Sequence, residues 1–175
     1  MNIANLTTYL NDHYAGSVGA LQLMDHLCDA CTDEERKTGY RALKKEIEAD
    51  QALLKGLLTS LGSDESVLKK AGAWLAEKIS HLKLTLSDSA RGDLALLEGL
   101  EILSLGIEGK LALWQTLNAV VRSLPDVELD FIRLEDRAKW QRKTVEEWRL
   151  QAAARALADM DPADGLNAAT ATQQS

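Results

Sequence analysis

The chain has 175 residues, of which 46% are hydrophobic and 5% aromatic, and it carries a formal net charge of −7 at pH 7. That charge argues against nucleic-acid binding, because neutralising phosphates requires a concentrated basic face. The amino-terminal sequence MNIANLTTYL lacks the basic start and apolar run of an export signal, and no stretch approaches the roughly 20 apolar residues of a membrane span. We therefore expect a cytoplasmic protein with no membrane partner.

The composition favours long helices in one domain. Only two prolines occur, and Leu, Ala, Glu and Lys dominate, which is typical of long helices rather than of many short strands. The length is sufficient for one hydrophobic core. We expect a helical domain over residues 1–158, followed by a disordered tail over residues 159–175 that lacks apolar periodicity.

The first predicted helix has apolar or small residues at steps of three and four, which mark one helix face, and it should end near Thr32. Cys28 and Cys31 form a CxxC near that end. A redox or zinc site normally adds a βαβ pattern or a second ligand pair, so two packed thiols are favoured over a redox or metal role. The predicted inner face comprises Leu6, Leu10, His13, Ser17, Ala20, Met24, Leu27 and Cys31.

The second predicted helix contains a charged residue on its apolar stripe. Asp33 and Glu34 are suited to open this helix, because negative charge is favourable in the first turn, and Gly62 is suited to end it. The stripe comprises Tyr40, Leu43, Ile47, Asp50, Leu54, Leu57 and Leu61. A carboxylate at position 50 would be buried, so it requires a partner.

Three further helices are predicted in the rest of the chain. Residues 63–86 are amphipathic and predict a shorter helix that crosses the outside of a bundle. A third long helix follows, and Pro125 breaks the chain after it. The fourth long helix is predicted from about Glu128 to Leu157. The inner faces of these two long helices are predicted to include Leu97, Leu100, Ser104, Ile107, Leu111 and Trp114, and Phe131, Leu134, Ala138, Gln141, Val145, Trp148 and Ala152.

Matching the stripes predicts two antiparallel hairpins. When the first two helices fold back around Thr32, His13 comes to lie opposite Asp50. The third and fourth helices match in the same way around Pro125. Further expected pairs are Ser17–Ile47, Ala20–Leu43, Trp114–Leu134, Leu111–Ala138, Ile107–Gln141 and Leu97–Ala152.

The connection between the second and third long helices, about 24 residues, is long enough to traverse the bundle at roughly 1.5 Å per helical residue. Such a crossover would set these two helices parallel. With the segments YLNDHYAGSVGALQLMDHL, EIEADQALLKGLL, AWLAEKISHLKL and LSLGIEGKLALW, the chain resembles bacterial ferritin-like bundle proteins over most of residues 5–157. The resemblance implies an all-α fold, a ferritin-like four-helix bundle with a long helical crossover between helices two and three.

The di-iron motif of that family is not complete in this sequence. Ferritin-like di-iron proteins take a glutamate from each of two helices and Glu-x-x-His from each of the other two. The nearest approaches here begin at Glu48 and Glu135, and neither is followed by histidine at that spacing. The polar residues expected together at mid-height are His13, Glu46, Asp50, Glu108 and Gln141.

Two interpretations of this cluster remain open. A buried His13–Asp50 pair that holds helix register is favoured, because such polar pairs specify register in helical bundles. In the alternative, His13, Glu46, Asp50 and Glu108 supply the nitrogen and oxygen ligands of one iron or manganese ion.

The two interpretations of this cluster imply two different functions. We expect a non-catalytic binding or structural module with a degenerate di-iron site, with no catalytic residue and no cofactor. The alternative is a metal-binding oxidoreductase or metal carrier that uses iron or manganese. Glycines at 16, 19, 106 and 109 cost helix propensity, and close helix approach is favoured over a ligand channel as the reason for them. A homodimer through helix faces is compatible with the sequence.

Overall fold

The computed structural model describes residues 2–62, 92–120 and 129–158. These ranges form four helices: α1 (Ile3–Ala30), α2 (Glu34–Ser60), α3 (Gly92–Val120) and α4 (Phe131–Leu157). They contain no strand, so the prediction of an all-α bundle is confirmed. The predicted helix at 63–86, the break at Pro125 and the tail at 159–175 lie outside the described residues.

Single residues cap the helix ends, and Asp33 and Gly62 lie at the two ends of α2 where the sequence predicts them. The Asp33 carboxylate accepts a hydrogen bond from the Arg36 backbone N–H at 2.8 Å and caps the N-terminus of α2. Asp130 caps α4 in the same way, since its carboxylate accepts from the Arg133 N–H at 3.0 Å. Gly62, just beyond the end of α2, has φ = 75°, a conformation that favours glycine.

Neighbouring helices in the bundle are antiparallel. Each of three neighbouring pairs is aligned by two polar contacts: Ser17–Gln51 and Asp25–Lys44 for α1 and α2, Glu101–Arg149 and Glu108–Arg142 for α3 and α4, and Arg36–Gln151 and Asp50–Arg137 for α2 and α4. The α1 and α3 helices pack together as well, with the Tyr9 hydroxyl near the start of α1 donating to Thr116 near the end of α3 at 3.3 Å. The four neighbouring pairs close a ring, so α2 and α3 occupy opposite corners and run parallel.

Both hairpins are displaced in part from the predicted pairing. Between α3 and α4 the Glu101–Arg149 ion pair lies within about two residues of that pairing, whereas Asn118 donates to Glu135, about one turn away from it. In α1 and α2 the pairing is displaced, because Ser17 meets Gln51 rather than Ile47, one turn further along α2. Helical side chains lean toward the N-terminus of their own helix. In an antiparallel pair, a side chain of the first helix therefore leans away from the connecting turn, and a side chain of the second helix leans toward it. The partner on the second helix thus lies further from the turn than residue counting predicts.

One continuous hydrophobic core lies between the four helices. Its largest fully buried side chains include Trp114, Tyr40 and Leu10. Among the described residues the buried polar side chains are Asn11, Asp50 and Gln141. The predicted burial of Asp50 on the α2 stripe is therefore correct. None of the helices in the described ranges combines the length and apolar character needed to cross a membrane.

Candidate functional site

The buried carboxylate of Asp50 is surrounded by donors from α3 and α4. Only 3% of Asp50 is exposed to solvent. The ammonium of Lys110 lies 2.6 Å from Oδ2, and the guanidinium of Arg137 donates to Oδ1. Both carboxylate oxygens thus have a cationic partner, which is what allows a carboxylate to remain charged in a helical core.

Gln141 links this ion pair to a second carboxylate. The Gln141 amide nitrogen donates to Oε2 of Glu46 at 3.1 Å and to Oδ2 of Asp50 at 3.3 Å. Its amide oxygen accepts from Lys110 Nζ. The amide therefore separates two carboxylates that lie one turn apart on α2 and would otherwise repel each other.

We call these five residues the polar network: Glu46, Asp50, Lys110, Arg137 and Gln141. The network contains two acidic and two basic side chains and is therefore neutral when all four are ionised. Burial lowers the pKa of Lys110, and the adjacent Asp50 carboxylate works in the opposite direction. The position of Asp50 is thus explained by two cations reaching into the core, and not by an imidazole.

The predicted His13–Asp50 pair is wrong. His13 is half-buried and packs edge-on against Tyr9, with ring centroids 4.6 Å apart. Among the described residues, the hydrogen-bonding partners of Asp50 are Lys110, Arg137 and Gln141. Burial lowers the pKa of His13 more strongly than the Asp12 carboxylate raises it. His13 and Asp50 do line one cavity, so the sequence placed them at the same level of the bundle without identifying their contacts.

The four predicted metal ligands are not brought together as a set. Glu108 lies on the exposed side of α3 and forms an ion pair with Arg142 at 3.0 Å, whereas Glu46 and Asp50 belong to the polar network. In the part of the chain that the structure describes, no group of three or more His, Cys, Asp or Glu side chains could hold a metal ion. As the described residues are arranged, these four side chains therefore do not form a binding set for a di-iron centre or for a single iron or manganese ion.

A cavity of about 240 Å³ lies beside the polar network, between α1, α2 and α3. Asp50 and Lys110 contribute to its wall from one side, and His13 from another. Most of the remaining wall is apolar, formed by side chains such as Ile47, Leu54 and Leu113. This combination of an apolar wall and a few polar groups is typical of small-molecule sites.

Three glycines line the cavity, and none of them brings two helices into close contact. A Cβ added at Gly16, Gly106 or Gly109 would meet no heavy atom within 4 Å. The expectation of close helix approach at these three positions is therefore wrong. Instead, their missing side chains leave space at the cavity, although glycine costs roughly 1 kcal/mol relative to alanine inside a helix. Gly19 is buried on α1.

Trp114 combines a place in the cavity wall with an unpaired donor. The side chain is 1% exposed, and its indole nitrogen is buried without a hydrogen-bond partner in the described structure. A buried donor left unsatisfied costs roughly 1–3 kcal/mol.

The CxxC pair packs near the end of α1, as the favoured interpretation expects. Cys28 belongs to the core, and Cys31 is partly buried against it, with its thiol donating to the Asp33 carbonyl oxygen at 3.4 Å. Both are free thiols. Burial raises the pKa of Cys28, which disfavours the reactive thiolate.

Lys110 and Arg137 are the site residues that the sequence pattern did not single out. Both lie at the edge of an apolar stripe, where a long cationic side chain is usually assigned to solvent. One signal was present: Arg137 precedes Gln141 by one helical turn, so the two share a face of α4. The buried carboxylate on α2 requires a cation. Identifying that cation depends on the pairing of α2 with α4, which the matched stripes do not indicate.

Comparison of the chain with protein-family models, with curated proteins and with solved structures gave no match. The function must therefore be argued from the polar network and the cavity.

Proposed function

We propose that this chain is a non-catalytic binding module: a ferritin-like bundle in which the polar network takes the place of a metal centre and the adjacent cavity holds a small molecule. One observation carries the proposal. Both oxygens of Asp50 are engaged by protein cations, Lys110 at 2.6 Å and Arg137 on the other oxygen. A metal ion at Asp50 would have to displace both cations and would lie among their positive charges.

The direction of the helices supports the ferritin-like part of the proposal. The parallel α2 and α3 are what a long crossover between them requires, since a short turn would make them antiparallel. The chemistry of the network supports the non-catalytic part. Its carboxylates, amide and cations bond to one another, which stabilises their positions and leaves each of them less available for proton transfer to a substrate.

Metal analysis of the purified protein tests this proposal. Protein from cells grown aerobically with added iron and manganese should contain far less than one equivalent of either metal and should lack a visible absorption band. Asp50→Ala serves as the matched control. Stoichiometric iron or manganese in the wild type that is lost in this variant would overturn the proposal in favour of a metal-dependent oxidoreductase or metal carrier.

A further inference from the structure

The size of the cavity limits what it can hold. An apolar cavity of about 150 Å³ is enough to bind benzene. The cavity between α1, α2 and α3 measures about 240 Å³, which leaves room for one ring with a short side chain. A drug-sized ligand typically requires about 300–1,000 Å³, so the space favours a compact molecule.

The free hydrogen-bonding groups of the wall include both donors and acceptors. The Gln51 amide donates one N–H to Ser17 at 2.9 Å, which leaves its second N–H and its carbonyl oxygen without a partner among the described residues. The ammonium of Lys110 donates to Asp50 and Gln141 and retains a third N–H. Hydrogen bonding from these groups therefore does not select one kind of ligand.

His13 and Trp114 complete the count of polar groups on the wall. Burial lowers the pKa of His13, so at pH 7 the imidazole is neutral, with one donor and one acceptor nitrogen. Neither nitrogen forms a hydrogen bond within the described residues. The indole nitrogen of Trp114 is buried too deeply for a water molecule to reach it, so this residue contributes apolar ring surface alone.

Charge, by contrast, does distinguish between ligands. Asp50 and Lys110 are paired at 2.6 Å within the neutral polar network. Asp12 is the remaining charged residue of the wall; it lies at the exposed edge and forms no ion pair with the described residues. Burial lowers the pKa of His13 and the Asp12 carboxylate opposes that shift, so the field of Asp12 reaches the wall. The cavity therefore has an unpaired negative charge at its open edge.

An ammonium group at this edge suits both the charge of the wall and the hydration of the ligand. A charge placed among the apolar side chains would lose its water, which is unfavourable. At the open edge an ammonium group retains part of its hydration and faces Asp12. The apolar remainder of the ligand then lies against side chains such as Ile47 and Leu113, in space that Gly109 leaves open.

We infer that the cavity takes a small monoamine, with a compact apolar body of about one ring inside and one ammonium group facing Asp12 at the open edge. This inference rests on the proposed function and specifies its ligand class.

Three probes that differ in one end group test the ligand class by titration calorimetry at pH 7: 2-phenylethylamine, 2-phenylethanol and 3-phenylpropanoate. Each has a phenyl ring on a two-carbon chain, and the end groups are cationic, neutral and anionic. We expect the amine to bind at one site about two- to fivefold more tightly than the alcohol, the gain that an exposed ion pair provides. The propanoate should bind more weakly than the alcohol, because Asp12 repels it.

Reversing the charge at the edge of the cavity tests the role of Asp12. In Asp12→Lys the propanoate should bind more tightly than the amine. Asp29→Lys is the matched control, since it makes the same charge change on an exposed residue of α1, about 25 Å from Asp12 at roughly 1.5 Å per helical residue. That distance exceeds the Debye length of about 8 Å at physiological ionic strength, so the order of affinities should equal that of the wild type.

Leucine variants test the location of the site from two walls. Gly109→Leu on α3 and Gly16→Leu on α1 place a side chain in the cavity, and each should lower the affinity for 2-phenylethylamine at least tenfold. Gly56→Leu is the matched control: Gly56 lies on α2 outside the cavity, and a Cβ there also meets no atom within 4 Å. Its affinity should equal that of the wild type.

The failure of this inference is distinguishable from that of the proposed function. Wild-type protein that binds the alcohol or the propanoate at least as tightly as the amine, or an unchanged order in Asp12→Lys, would overturn the ligand class. Full amine binding in both leucine variants, or no amine binding to a wild type that is free of iron and manganese, would overturn the site. Stoichiometric metal that depends on Asp50 would overturn the proposed function itself.

Discussion

At the scale of single residues, the polar network shows how a charge is accommodated in a helical core. Asp50 is 3% exposed, yet each of its oxygens meets a cation, and the Gln141 amide keeps Glu46 at a distance. The long aliphatic stems of Lys110 and Arg137 allow them to begin at the edge of the bundle and still reach its centre. The five side chains therefore depend on one another. When one of them is removed, the others stay buried without the partner that compensated for their loss of hydration.

We expect Asp50→Asn to lower the free energy of unfolding by about 3–5 kcal/mol, because it leaves Lys110 and Arg137 without their carboxylate in a mostly buried site. Lys110→Met should cost less, since Asp50 keeps Arg137 and Gln141. The double variant should lose less than the sum of the two single losses, as expected for residues in one network. Urea unfolding followed by circular dichroism measures all three. Additive losses, or a loss below about 1 kcal/mol for Asp50→Asn, would contradict this account.

His13 should make stability depend on pH on the acidic side of neutrality. Burial lowers the pKa of His13 below its usual value of 6.5, with Asp12 opposing the shift. The unfolded chain therefore binds the proton more readily than the folded chain. The contribution of His13 to the free energy of unfolding is fully present above pH 6.5 and declines as the pH falls below that value toward the folded pKa.

Urea unfolding at a series of pH values between 5 and 8 checks this expectation. The wild type should lose stability below pH 6.5, and His13→Gln should lose less over the same interval. Asp12→Asn is informative as a second variant: removing that carboxylate lowers the pKa of His13 further and should extend the loss to lower pH. Identical pH profiles for the wild type and His13→Gln would refute the assignment to His13.

At the scale of helices, the ends of α2 and α4 are determined by single side chains. Asp33→Ala and Asp130→Ala should each lower the free energy of unfolding by about 1 kcal/mol, because each removes an acceptor for an N–H of the first turn. Asp33→Asn and Asp130→Asn are the controls, since asparagine caps helices as well as aspartate does. Thermal unfolding distinguishes the variants. Equal losses with alanine and asparagine would show that charge, rather than capping, matters at these positions.

The ends of helices are easier to predict from the sequence than the contacts between helices. Asp33 and Gly62 were predicted correctly at the two ends of α2, because such signals act within one helix. Gln141 was expected beside Asp50, but the two cations were not, because Lys110 and Arg137 come from α3 and α4 and their contacts depend on pairings between helices that are distant in sequence. Trp140 adjoins the buried Gln141 in sequence, and 55% of it is exposed. The periodicity of apolar residues does not determine whether a side chain beside the apolar stripe faces the core or solvent.

At the scale of the whole molecule, the bundle combines a filled core with one unfilled region. Most of the core is closed by large side chains, whereas Gly16, Gly106 and Gly109 leave the space between α1, α2 and α3 open. These glycines lower helix stability without the close packing that usually compensates for it. The open space and its mostly apolar wall support the proposal of a binding module.

Alanine at those three positions should therefore stabilise the fold. The triple variant gains roughly 0.5–1 kcal/mol per position, because alanine favours the helix and its methyl group meets no atom within 4 Å. For a chain of this size the melting temperature should rise by roughly 3–12 °C. Gly39→Ala provides the contrast, since its Cβ would lie 3.1 Å from Cζ2 of Trp148 and crowd that ring, so its gain should be small or absent. A triple variant that is less stable than the wild type would contradict this account.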